Sequence, residues 1–192
     1  MTLARRALFL LAALAVALPA ASGQDKPAGD QLVFIVRHAE KASATDADPS
    51  LSEAGKARAE ALAYALHDAG VTSILVTSRK RTAETAAPLA AALELTMHVV
   101  PFGTGTAEHA ALVAKAVAEH RGGAVLVVGH SNTVTAIIAA LGSPRLPDLC
   151  DAAYANLFIL RVPAKGAPTF VRARFGADDH AESATCAGMT AR

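Results

Sequence analysis

Four strand-length apolar runs, each followed by a segment of helical length, constrain the fold of this chain more than any other feature. The runs lie at 31–36, 74–77, 97–100 and 124–128, and two more, at 156–162 and 169–175, close the sequence around Lys165-Gly166. Most of them are apolar continuously rather than alternately, the pattern of strands covered on both faces. The intervening segments carry helix signals. Ser52 is placed to cap a helix that turns Ala54, Ala57, Ala61, Leu62, Ala65 and Leu66 inward and stops at Gly70. A second helix starts at Ser78 or Lys80 and runs to about Leu93, with Pro88 expected to kink or divide it. A third, capped by Thr106, covers 107–120, and a fourth covers 132–141. The order β-α-β-α-β-α-β-α-β-β predicts a three-layer α/β/α sandwich with a mainly parallel sheet.

Length and composition set the outer bounds. A chain of 192 residues with 53% hydrophobic and 18% charged residues has enough apolar material for one domain and excludes a disordered, charge-extended polypeptide. The mean hydropathy of +0.34 is raised by the first residues, where Arg5 and Arg6 precede twelve apolar residues and then Pro19 to Gly23. Twelve residues fall short of the roughly 20 that cross a bilayer as a helix, so 1–23 is expected to be a cleaved signal peptide and 24–30 a linker. The single domain is then 31–192, located in the periplasm or medium without stable membrane insertion. Loss of 1–23 removes two arginines and no acid, which moves the formal charge from +1 to −1 and supplies no field for nucleic acid. In such a compartment the two cysteines, Cys150 and Cys186, are expected to form a disulfide. Neither has a second ligand at metal-site spacing.

In an open parallel sheet, ligands bind outside the carboxyl ends of the strands. Three of those ends are loaded. The first continues as Arg37-His38-Ala39-Glu40-Lys41, the second as Ser78-Arg79-Lys80-Arg81-Thr82, and the fourth as Gly129-His130-Ser131-Asn132. Arginine forks bind phosphoryl oxygens bidentately, and a neutral imidazole is a competent nucleophile toward phosphorus. Neighbouring cations stabilise the transferring group and oppose protonation of the imidazole. A zinc reading of His38-Ala39-Glu40 lacks a third and fourth ligand, and Gly103-Thr104-Gly105 lacks the third glycine of a nucleotide loop and is read as a turn.

Together Val36-Arg37-His38-Ala39-Glu40, Leu51-Ser52-Glu53-Ala54-Gly55, Ser78-Arg79-Lys80-Arg81-Thr82-Ala83-Glu84-Thr85-Ala86 and Gly129-His130-Ser131-Asn132 resemble the ordered signature of the histidine phosphatase superfamily, with its phosphoglycerate mutase-like fold. The resemblance implies a phosphatase that needs no metal or other cofactor and acts on a small phosphorylated molecule or a phosphoprotein. In it His38 becomes phosphorylated, Arg37 and Arg81 grip the phosphate, and His130 hydrogen-bonds the phosphate and the transferring oxygen. Relatives place the general acid between the second arginine and second histidine, or directly after that histidine, where this chain has Ser131. Glu108 is the expected acid, set against a plain role at a helix start and against His109, Asp46 and Asp48. Only residues 82–129 separate Arg81 from His130, which leaves no room for a lid and favours hydrolysis over a mutase. The other readings are a weakly catalytic phospho-ligand binding module and an envelope structural protein of the same fold.

Overall fold

The computed structural model describes residues 29–120 and 122–179. The expected signal peptide at 1–23, most of the linker and Cys186 lie outside the described residues. Six strands, β1 (Gln31–Arg37), β2 (Val71–Val76), β3 (Met97–Val99), β4 (Ala124–Gly129), β5 (Asn156–Val162) and β6 (Thr169–Arg174), form one sheet in the order β3-β2-β4-β1-β5-β6. The pairings β1–β4, β4–β2 and β2–β3 are parallel, whereas β1–β5 and β5–β6 are antiparallel. The sheet is therefore mixed, its parallel half built by the crossovers and its antiparallel half by the closing hairpin.

Alternate side chains of the central strands feed two separate cores. Val33, Ile35, Leu75, Val125 and Val127 pack under α3 (Thr106–Glu119) and α4 (Val134–Ala140). Phe34, Val36, Ile74, Val76, Leu126 and Val128 pack under α1 (Glu53–Leu66) and α2 (Lys80–Ala92). Each strand needs apolar side chains on both faces, which is why these segments read as unbroken hydrophobic runs. The expected three layers are present.

The helices differ from expectation in three ways. Ser52 caps α1 through its side-chain oxygen, which accepts from Gly55 N at 3.1 Å, but the buried face is Gly55, Arg58, Ala59, Leu62, Ala63 and Leu66. Ala54, Ala57 and Ala65 point outward. A helix this rich in alanine offers too little contrast between its faces for periodicity to set the rotation. Pro88 sits inside an undivided α2. Thr106 is the first residue of α3 and not its cap, a position held by Gly105.

Two close contacts bind the loop after β1 to its surroundings. Ser52 N donates to Glu40 O at 2.9 Å, and a Cβ at Gly55 would run into that carbonyl, so α1 starts directly against the residues that follow His38. On the other side His38 N donates to Gly129 O at 2.9 Å, continuing the β1–β4 ladder past the last strand residue.

Candidate active site

His38 and His130 leave adjacent parallel strands and bring their rings to 5.3 Å between centroids, inclined at 62°. Both are buried, at 3% and 7% exposure. Their hydrogen bonds define the state of each ring. His38 Nδ1 lies 2.8 Å from Ala39 O, and a carbonyl only accepts, so Nδ1 carries the hydrogen and Nε2 keeps its lone pair. Ala39 N in turn donates to Thr85 Oγ1 at 2.9 Å, which ties this loop to α2.

His130 has the opposite tautomer. Arg81 Nη2 reaches Nδ1 at 3.4 Å and can only donate, so Nδ1 accepts and Nε2–H donates to Thr77 Oγ1 at 3.1 Å. The Thr77 hydroxyl passes its hydrogen to Thr82 Oγ1 at 3.0 Å, and Thr82 donates to Arg79 O at 2.8 Å. Every hydroxyl in this chain has one consistent direction.

Burial, reinforced by the nearby guanidinium groups of Arg37 and Arg81, pushes both imidazoles down from 6.5 to about 3. Both are therefore neutral at physiological pH, and His38 presents an unprotonated Nε2.

Arg37 is 2% exposed. Its Nη1 donates to Cys150 O at 2.8 Å and Asp151 O at 2.9 Å, its Nη2 to Asp151 Oδ1 at 3.3 Å, and its plane lies 4.2 Å from the centre of the Tyr154 ring. Arg81 Nη1 faces Asp48 Oδ1 at 3.6 Å. Nε of Arg37 and Nε of Arg81 are buried without a hydrogen-bond partner, and burial lowers the proton affinity of both groups. Two unpaired cationic donors beside two neutral imidazoles suit an anion with several acceptor oxygens.

Arg37, His38, Arg81 and His130 border one cavity of about 370 Å³ together with Lys41, Ser78, Arg79, Phe102, Ser131, Asn132 and Asp151. Glu108 is not among these residues. Its Oε2 accepts from Thr104 N at 2.8 Å and from Thr104 Oγ1 at 2.6 Å, folding the side chain back over Gly103, and these bonds hold its carboxyl below the usual range. Glu108 stands at the expected edge of the sheet, but its side chain turns away from the cavity, and side-chain direction within a helix's first turn is not encoded in spacing. His109 is buried, with Nδ1–H donating to Pro101 O at 2.9 Å and its ring stacked on Phe102 at 4.8 Å.

Glu40 is held by Arg58, whose Nε and Nη2 reach its Oε1 at 2.9 and 2.8 Å. Arg58 Nη1 also donates to the carbonyls of Phe175 and Ala177. Among the described residues no group of three or more metal-ligating side chains occurs, no cysteine is free, and no helix is long and apolar enough to cross a membrane. Sequence reading missed Asp151 and Tyr154, which come from the loop before β5, far from any motif, and Thr77, whose hydroxyl looks like an ordinary strand end.

The sequence profile described as "Histidine phosphatase superfamily (branch 1)" matches residues 33–102, which include Arg37, His38 and Arg81. The fold is that of the histidine phosphatase superfamily. Among solved structures with the histidine phosphatase fold, the mycobacterial glucosyl-3-phosphoglycerate phosphatase superimposes with a TM-score of 0.59 at 17% identity, covering 78% of this chain and all of its own. The protein histidine phosphatase SixA complexed with tungstate gives 0.59 at 21% identity, over 74% of this chain and 96% of its own. A putative phosphohistidine phosphatase SixA from Agrobacterium tumefaciens gives 0.53 at 23%, over 77% and 98%. No curated protein sequence matches the chain.

Proposed function

We propose that this protein is a phosphatase that hydrolyses accessible phosphomonoesters, or phosphorylated protein side chains, through a phosphohistidine on His38. The observation that carries this reading is the pair of neutral imidazoles 5.3 Å apart, flanked by two arginines whose buried Nε groups lack a partner. Arg37 and Arg81 grip the phosphoryl oxygens and spread the charge of a loose transition state. His38 Nε2 attacks phosphorus while the P–O bond to the leaving group breaks and that oxygen takes up a proton. Water then attacks the phosphohistidine, and the N–P bond breaks to return Nε2. The guanidinium groups supply the positive charge, so no metal is assigned a role. Both substrate classes are kept because proteins of similar fold include a glucosyl-3-phosphoglycerate phosphatase and a protein histidine phosphatase.

The pattern of residues 1–23 and the two cysteines supports a mature chain outside the cytoplasm with Cys150 and Cys186 joined. Thiol titration of the denatured, unreduced mature protein is expected to find no reactive thiol, and two reactive thiols would exclude the bridge.

The test of function is hydrolysis of 4-nitrophenyl phosphate by the mature chain and by His38→Ala, with EDTA present and rapid quench for an acid-labile phosphoenzyme. EDTA-resistant turnover lost with His38 is expected. Vanadate binding without turnover would instead favour the phospho-ligand binding module.

A further inference from the structure

The proton that the leaving oxygen needs is the one component that His38, His130 and the two arginines do not provide. Both imidazoles are neutral, and the single hydrogen on each is committed, to Ala39 O in one case and to Thr77 Oγ1 in the other. The carboxylates at this edge of the sheet are mostly engaged elsewhere. Glu40 is forked by Arg58, Glu84 Oε2 accepts from Leu51 N at 2.7 Å, and Glu108 closes on Thr104. Asp48 Oδ1 accepts from Lys80 N at 3.1 Å on the outer side of Arg81. None of these four borders the cavity that holds the histidines. Asp151 does, and among the described residues it is the only carboxylate that does.

Its placement is built rather than incidental. Arg37 holds the backbone carbonyls of Cys150 and Asp151 at 2.8 and 2.9 Å, so the guanidinium that borders the phosphate position also fixes the loop bearing the carboxyl. The side chain touches Arg37 Nη2 at 3.3 Å and is otherwise 95% exposed, so it exchanges protons with solvent between turnovers.

We propose that Asp151 is the catalytic acid and base of this site, an assignment that rests on the phosphatase reading. Its carboxyl gives a proton to the bridging oxygen as the P–O bond breaks and the His38 Nε2–P bond forms. The resulting carboxylate takes a proton from the water that attacks the phosphohistidine, the electron pair of the N–P bond returns to Nε2, and inorganic phosphate and the starting carboxyl are regenerated.

The experiment compares wild type, Asp151→Asn and Asp151→Ala on phenyl phosphate and 4-nitrophenyl phosphate. These esters share a shape but differ in how much their leaving oxygen needs a proton. Asparagine keeps an oxygen that accepts from Arg37 and removes only the proton, so inhibition by inorganic phosphate should be unchanged in that variant. Asp151→Asn is expected to lose about a hundredfold in kcat/KM, which reads phosphoenzyme formation and not the hydrolysis step common to both esters, on phenyl phosphate and at least tenfold less on 4-nitrophenyl phosphate. Equal losses on the two esters, or rescue of phenyl phosphate turnover in Asn relative to Ala, would make Asp151 an anchor for Arg37 and overturn the assignment. Turnover of neither ester by the wild type would overturn the phosphatase reading, and this assignment with it.

Discussion

Acid should unfold this protein through its candidate active site. His38 and His130 are buried and held at about 3, against 6.5 for a free imidazole. Their folded values lie below their unfolded ones, so between those limits the unfolded chain binds more protons than the native one. The stability tied to neutrality is complete above about 6.5 and is lost as the pH falls toward 3. One unit of difference corresponds to about 1.4 kcal/mol, so lowering the pH from about 7.5 to about 5 costs about 2 kcal/mol per histidine and about 4 kcal/mol for the pair. That is a large part of the 5–15 kcal/mol typical of a domain. Urea unfolding across this range, for wild type and for the double variant His38→Gln with His130→Gln, isolates the contribution from that of the carboxylates. The double variant should lose markedly less stability on acidification. Inorganic phosphate should flatten the wild-type curve, because a bound anion favours a protonated His130. A folded-state imidazole titration near 6.5 by NMR for either residue, or identical pH slopes in the two proteins, would refute the reasoning.

Two further outcomes are expected from the residues around the site. Arg58→Met should cost about 3 kcal/mol in chemical denaturation, because it leaves Glu40 and the Phe175 and Ala177 carbonyls without their donor; a loss below about 1 kcal/mol would show that Glu40 is hydrated in the native state. Thr77→Val should cost about 1–2 kcal/mol by removing the acceptor of His130 Nε2–H, and it should slow phosphoenzyme formation in rapid quench. An unchanged rate would mean that Arg81 alone orients His130.

Much of the candidate site was legible because it follows strands. Arg37, His38, Arg81 and His130 lie at or just beyond the carboxyl ends of β1, β2 and β4, and parallel pairing of neighbouring strands brings such ends together without further information. Glu108 shows where that reasoning stops. It stands at the same edge, yet a hydrogen-bonding turn at Thr104 captures its carboxylate, and a competition between a backbone amide and an open cavity is decided by side-chain rotamer rather than by spacing. The face of α1 failed for a related reason. Alanine on every side leaves the rotation to be set by the fit of Gly55 against Glu40 O and of Arg58 against Glu40.

The chain by itself determined its layers, because unbroken apolar runs must be covered on both faces, and it determined which loops carry chemistry, because those runs end in arginine and histidine. Only the tertiary structure decided the tautomer of each imidazole, the two orphaned guanidinium nitrogens and the arrival of Asp151 beside Arg37, 114 positions away in the sequence. These depend on hydrogen-bond directions and burial among residues distant along the chain. Such properties belong to the packed whole and to no local pattern of residues.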